Sequence, residues 1–218
     1  MQTSTKLYFR ERTPWRIGNV KLDAGPTLIC HLHGDCERNG RVKIINRLDR
    51  SGQGVLMALP QKRSLKREDD AQLRAMTSDP KHRRIVITDA RNPNSPALAT
   101  AMVEAGASMV IVGESESWRP YPELEVLTSI DKVEVLPLDV TDTLSVQKLA
   151  GEIGGKTDIL INNARFVRPG GALTRGDTSF AREEMEVNYL GLMRLAQAFG
   201  PGMCSRTSDG VNAAVAWV

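Results

Sequence analysis

The sequence predicts an α/β protein, a doubly wound parallel sheet with a small β-rich extension in front of it. Three observations predict this. From Arg84 onward, short apolar runs alternate with amphipathic stretches, the pattern of successive βαβ units. Several of those runs are apolar without interruption, as in Ile85-Val86-Ile87 and Ile159-Leu160-Ile161, which suits strands buried on both faces. Residues 1–83 have another texture, with strand-like runs set between turn residues and dense charge.

In chain order, Thr27–His33, Arg41–Leu48 and Gly54–Leu59 read as strands. Asn39-Gly40 lies between the first two, and both residues tolerate positive φ, so the spacing predicts a hairpin and a small antiparallel meander. Gln61–Asp70 is dense in charge, Arg67–Met76 has the pattern of a short surface helix, and Thr77–Arg83 reads as a linker. Residues 1–83 are thus a basic β-rich extension with a linker, and residues 84–218 the larger domain. Three short strands bury little apolar area, so the extension is expected to pack on that domain. Within the domain, strands are expected at Arg84–Ala90, Ser108–Gly113, Val133–Asp139 and Asp158–Ala164. Helices are expected at Ser95–Ala105, Thr143–Ile153 and Phe180–Phe199, the last with an apolar face of Met185, Leu190, Met193, Ala196 and Ala198. Asn212–Val218 reads as a fifth strand with nothing to cover its outer edge, a template for self-association.

Composition excludes several classes. With 41% hydrophobic and 25% charged residues the chain is of globular rather than disordered type. No run approaches a membrane span and the first residues lack a signal-peptide core, so a cytoplasmic protein without a membrane partner is expected. Three cysteines, Cys30, Cys36 and Cys204, do not make a disulfide framework. The net charge of +3 hides an asymmetry: residues 1–84 hold 18 Lys/Arg against 9 Asp/Glu, and residues 85–218 hold 11 against 17. Scattered surface cations account for such a balance, and a polyanion partner is the alternative. Cys30, His31, His33, Asp35 and Cys36 crowd five possible metal ligands together, but His31 and His33 share one strand face while Cys30 points away. These read as ordinary strand residues, and no metal site is expected.

Four motifs in the larger domain carry a resemblance. Ile85–Ala107 places Thr88, Asp89, Pro93 and Ser95 in a strand–turn–helix. Asp139-Val140 follows the third strand, Asn162-Asn163-Ala164-Arg165 ends the fourth, and Glu186-Val187-Asn188-Tyr189-Leu190-Gly191 lies on the long helix with Pro201 and Met203 beyond it. In order and spacing these resemble the short-chain dehydrogenases/reductases, whose fold is Rossmann-like. The resemblance implies an oxidoreductase that uses NAD or NADP on a small-molecule carbonyl or alcohol, and a homo-oligomer. It implies cofactor-binding roles for Thr88, Arg91, Ser95, Glu114, Asp139, Val140, Asn162 and Ala164, and a catalytic role for Asn188 in organising a proton-relay water. The ribose-reading place falls at Gly113 or Glu114, and the carboxylate of Glu114 favours NAD over NADP.

The sequence departs from the family at two places. Asp89, Pro93 and Ser95 stand where the family has the glycines of its phosphate turn, adding a carboxylate, removing a backbone donor and adding a side chain. Ser95 as a helix cap and Arg91 as a phosphate ligand are the expected compensations. The family's Tyr-x-x-x-Lys is absent: the tyrosines are Tyr8, Tyr121 and Tyr189, followed four places on by Arg12, Glu125 and Met193. The resemblance therefore implies a truncated member with weak or no cofactor binding and no activity of its own. Non-enzymatic interaction is one alternative. Another is RNA binding, because Asn46-Arg47-Leu48-Asp49-Arg50 with Gly54-Val55-Leu56 resembles the aspartate motif of RNA pseudouridine synthases over about a dozen residues. A nucleic-acid partner is not the expected one.

Overall fold

The computed structural model describes residues 16–49, 53–61, 72–73, 79–170, 177–208 and 214–217. Its contacts divide the chain into two compact units, Met1–Asp79 and Pro80–Val218.

In the first unit four strands, β1 (Ile17–Lys21), β2 (Thr27–Leu32), β3 (Val42–Leu48) and β4 (Gly54–Pro60), form one sheet of order β1-β2-β4-β3. It is not the expected antiparallel meander. β2 pairs with β1 antiparallel and with β4 in parallel, while β3 pairs with β4 alone. Asn39 does adopt a positive φ of 63° and Gly40 N donates to Glu37 O, so Asn39-Gly40 is a turn. It joins strands that are not neighbours. β1 was not expected because Gly18 and Asn19 break its alternation; pairing with β2 overrides that weak local preference. β3 and β4 form the hairpin, closed by Asp49 N on Gln53 O and Gln53 N on the Asp49 carboxylate, 2.8 and 2.9 Å. Ile45, Met57 and Leu59 pack with Leu73 as a small core. The expected helix Arg67–Met76 lies outside the described residues except for Gln72 and Leu73, which are helical.

The second unit is a five-stranded parallel sheet of order β7-β6-β5-β8-β9. Its strands are β5 (Arg84–Ile87), β6 (Met109–Glu114), β7 (Val133–Pro137), β8 (Ile159–Asn162) and β9 (Ala214–Trp217). The helices are α1 (Ser95–Glu104), α2 (Glu123–Ser129), α3 (Thr143–Ile153), α4 (Ser179–Met185) and α5 (Leu192–Ser208), with a π-helical segment Glu186–Gly191 joining the last two. Side-chain alternation assigns each face its own core. Ile85, Ile87, Val110, Val112, Ile159 and Ile161 pack with Ala99 of α1 and Leu127 of α2. Val86, Ile111 and Leu160 pack on the other face with Val146, Leu149, Leu195 and Phe199 of α3 and α5.

Two local features depart from expectation. α2 has no strong apolar period, and it starts at Pro122 with Glu123 and Glu125 in its first turn, where a carboxylate suits the helix dipole. On the long helix, the expected inward residues Met185, Leu190 and Met193 are 53, 39 and 43% exposed, and Ala196 is exposed. The buried positions are Gly191, Leu195, Phe199 and Met203. The π segment widens the helix for one turn and rotates the residues on its two sides out of a single 3.6-residue phase.

Candidate functional site: the cleft at the strand ends

In an open α/β sheet, a crevice opens where the strand order reverses, just beyond the carboxyl ends of the strands. Here that place lies between β5 and β8, and it is floored by Thr88 and Asn163, both buried. The Thr88 hydroxyl donates to Asn162 Oδ1 at 2.9 Å and accepts from the backbone N–H of Asn163 and Ala164, at 3.1 and 3.2 Å. Asn163 ties the two strand ends together. Its Oδ1 accepts from Asp89 N at 2.9 Å, and its Nδ2 donates to Ser95 Oγ at 2.7 Å and Asp89 O at 3.2 Å. Gly113 lets β6 come close: a Cβ there would lie 2.5 Å from Leu138 Cδ2 and 2.9 Å from Thr88 O.

Above this floor is a cavity of about 170 Å³ lined by Thr88, Asp89, Ser115, Leu138, Asp139, Val140, Thr141, Ala164, Arg165, Phe166 and Val187. Of the sequence-predicted residues, Thr88, Asp139, Val140 and Ala164 line it, and Asn162 braces Thr88 from below. Asp139 Oδ1 receives both the N–H and the hydroxyl of Thr141, at 2.8 and 2.7 Å, which fixes the carboxylate at the end of β7. Glu114 does not line the cavity; Ser115 does. Glu114 instead neighbours the Tyr121 phenol, which burial first, and the Glu114 carboxylate second, push up from its ordinary value.

Arg91 and Ser95 sit elsewhere than the sequence suggests. Arg91 Nε donates to Ser115 O at 2.9 Å, a terminal nitrogen donates to Glu116 O at 2.6 Å and to Arg119 O, and the guanidinium stacks 4.4 Å above the Tyr121 ring. It binds the loop after β6. Ser95 does not cap α1, whose N-cap is Asn94; its hydroxyl is buried between Asp89 O and Asn163 Nδ2.

Asn188 is absent from the cavity wall but holds part of it. Its amide makes a two-point clamp on Phe166, accepting from Phe166 N at 2.9 Å and donating to Phe166 O at 2.7 Å. The π segment presents Asn188 for this, and Gly191, whose Cβ would stand 3.1 Å from Val140 Cγ2, lets the segment approach the strand end. Arg194 pins the same region through Glu186 and through Thr143 Oγ1 at 3.1 Å. Sequence reasoning passed over Asn163, Phe166 and Tyr121 as site residues. The paired asparagines at the end of an apolar strand were the only local sign of the first.

The phosphate turn itself does not fit a pyrophosphate. Five of the N–H groups from Asp89 to Ser95 are hydrogen-bonded within the protein. Asp89 N goes to Asn163, Ala90 N to Gly113 O, and Arg91 N to Asp89 Oδ1 at 2.9 Å. Asn94 N goes to Asn92 Oδ1 and Ser95 N to Asn92 O, and Pro93 has no N–H to offer.

Burial pushes the Asp89 carboxyl up from its ordinary value, against the hydrogen bond and charge of Arg91 and the Asn92 N–H that hold it down; Glu123 adds a smaller upward push. A carboxyl raised in the folded state favours folding when protonated. That contribution is full below the ordinary carboxylate range and is lost as pH rises through the raised folded value. Asp89→Asn keeps the shape and removes the charge. It is expected to raise the melting temperature relative to the parent at pH 7 and to lose that advantage by pH 4; an equal gain at both pH values would contradict burial as the cause.

The family model described as enoyl-(acyl carrier protein) reductase matches residues 95–216, more than half of the chain. The chain belongs to the short-chain dehydrogenase/reductase family. It is 29% identical over 121 residues to a short chain dehydrogenase of Aspergillus terreus, covering 53% of this chain and 26% of that one. It is 32% identical over 130 residues to an uncharacterized oxidoreductase of Staphylococcus aureus, covering 56% and 53%. Among solved structures it is similar to a short chain dehydrogenase from Burkholderia cenocepacia in complex with NADP, with a TM-score of 0.50, 27% identity and coverage of 63% and 54%. The chain thus spans from a quarter to about half of the length of these relatives. No helix among the described residues is long and apolar enough to cross a membrane.

The metal-ligand types crowded in the first unit serve its turn. His33 Nδ1 accepts from Asp35 N at 3.1 Å, and Cys36 Sγ donates to Ala58 O at 3.3 Å. Burial pushes both the Cys30 and the Cys36 thiols up. Among the described residues no group of three or more His, Cys, Asp or Glu is placed to hold a metal ion.

Proposed function

We propose that the second unit is the nucleotide-binding half of a short-chain oxidoreductase site, that it holds NAD or NADP weakly, and that this chain alone transfers no hydride. The observation that carries the reading is the cavity beyond β5, β6, β7 and β8, with the Asp139 carboxylate fixed at one end and the Thr88–Asn163 floor beneath. When bound, a nicotinamide cofactor would supply the hydride for a small carbonyl or alcohol substrate. The chain's own residues shape the cleft. Asp139 and Ser115 offer polar groups, Leu138, Val140 and Val187 an apolar wall, and Asn188 acts as a positioning residue by holding Phe166. The turn at Asp89–Ser95 weakens binding, and Glu114, the neighbour in sequence of the lining residue Ser115, favours NAD over NADP through its carboxylate.

Without a Tyr-x-x-x-Lys pair the chain lacks the positioned proton donor that contributes about 10²–10⁴-fold in general acid catalysis. The purified chain, given NADH or NADPH and a panel of small carbonyl compounds, is expected to show no cofactor oxidation above the enzyme-free rate. Turnover that scales with protein concentration would sink this reading.

The proposal includes a homo-oligomer. Met185, Tyr189 and Met193, on and beside the π segment, are large side chains left 53, 52 and 43% accessible, which suits burial between two copies. Sedimentation velocity should show a dimer or larger species at tens of micromolar protein, and Tyr189→Arg with Met193→Lys should shift it toward monomer. A monomer in the parent at that concentration would overturn the assignment.

A further inference from the structure

We infer that Asp89 is a resident anion that fills the phosphate turn, so that the cleft takes an uncharged, donor-bearing ligand of nucleoside size in preference to its phosphorylated forms. This deepens, and rests on, the reading of the cavity as a nucleotide-derived site. The turn is closed in a specific manner. The Arg91 N–H is bonded to the Asp89 carboxylate at 2.9 Å, which stands where a phosphate oxygen would accept from the turn. The N–H groups of Asp89, Ala90, Asn94 and Ser95 are taken by Asn163, Gly113 and Asn92. The cation best placed to rescue a phosphate, Arg91, is committed to three carbonyls of the 115–119 loop and to the Tyr121 ring. A phosphate entering here meets a fixed negative charge and a turn whose N–H groups at Asp89, Ala90, Arg91, Asn94 and Ser95 are already bonded.

The adjoining cavity has the opposite preference. Asp89 and Asp139 both line it, and Arg165 is the one cation among its described lining residues. Asp139 Oδ2 receives no hydrogen bond among the described residues, while Oδ1 is held by Thr141. Two carboxylates against one guanidinium favour a ligand that donates, through amino or hydroxyl groups, and disfavour one that brings further negative charge. The apolar side chains of Leu138, Val140, Phe166 and Val187 suit a flat ring, and about 170 Å³ is too small to enclose a whole dinucleotide.

The test uses the full chain and four probes, adenosine, AMP, ADP and NADH, with affinities read by calorimetry and by ligand-observed NMR. In the parent, adenosine is expected to bind at least as tightly as AMP or ADP. Asp89→Asn preserves volume and the acceptor for Arg91 N while removing the charge, and it should raise the ratio of ADP to adenosine affinity by about tenfold, the scale of one charge-assisted contact. Asp89→Gly should raise it further by opening the turn. Parent protein that binds ADP or NADH tenfold more tightly than adenosine would overturn the inference and leave the nucleotide reading of the cleft standing. An unchanged ratio in Asp89→Asn would also overturn it. Absence of binding by all four probes in the parent and both variants would overturn the inference and the nucleotide reading together.

Discussion

Gly113→Val is expected to destabilise the Pro80–Val218 unit by about 3 kcal/mol, the upper range for inserting side-chain atoms into a closed core. At this position the cost begins at the first carbon. A Cβ would lie 2.5 and 2.7 Å from two carbons of Leu138 and 2.9 Å from Thr88 O. Neither neighbour can retreat cheaply. Leu138 is 1% exposed inside the core shared with Val86 and Leu160, and Thr88 is held from both sides, its N–H on Ile161 O at 3.1 Å and its hydroxyl on Asn162. Gly151 is the control, because a Cβ there meets nothing within 4 Å and the residue lies inside α3. Gly151→Ala should be neutral or stabilise by up to about 1 kcal/mol, since alanine is the better helix former. Urea unfolding followed by circular dichroism reads both variants. A loss below about 1 kcal/mol for Gly113→Val would show that β6 and β7 are not packed as closely as the geometry requires.

Asn163→Ala should cost about as much by a different route. The side chain is 4% exposed and makes three bonds that hold the start of the phosphate turn to the end of β8. Truncation leaves Asp89 N without its acceptor and Ser95 Oγ without its donor, in a site too closed for bulk water to replace them. Each orphaned buried group costs about 1–3 kcal/mol, so a total of about 3 kcal/mol is expected. The turn should also loosen locally. Amide hydrogen exchange at Asp89, Ala90 and Arg91 should accelerate more than at Val110 or Val112, which lie in the middle of β6. Uniform acceleration across the unit would mean that Asn163 serves global stability alone. No change at Asp89 would remove it from the floor of the cleft.

Much of this protein is legible one residue at a time. The strands of the parallel sheet were found because continuous apolar runs such as Ile85-Val86-Ile87 have no other comfortable place than between two layers of helix. Helix Thr143–Ile153 spans the residues that the apolar period predicts, and in the structure Asp142 caps its start by accepting from Leu144 N at 2.9 Å. Family membership was legible as well, from motifs whose order and spacing survive substitution at single positions. The absence of Tyr-x-x-x-Lys needs no structure.

What the sequence could not decide are choices between partners. Asn39-Gly40 is a sound turn, yet whether the strands beside it pair depends on what else the edge of β2 meets, and β4 takes that edge. The face of the long helix depends on a π segment that one-dimensional spacing does not reveal. Arg91 illustrates the same limit at the site. Its sequence position suits a phosphate, but its five donors settle on whatever acceptors the fold brings near, and the loop carbonyls at Ser115, Glu116 and Arg119 arrive from residues 24 to 28 places away. The sequence by itself determined the layers and the family, because these follow from burial pattern and residue identity. Only the tertiary structure decided that the phosphate turn is already filled by Asp89, because hydrogen-bond satisfaction is a property of groups that meet in space rather than along the chain.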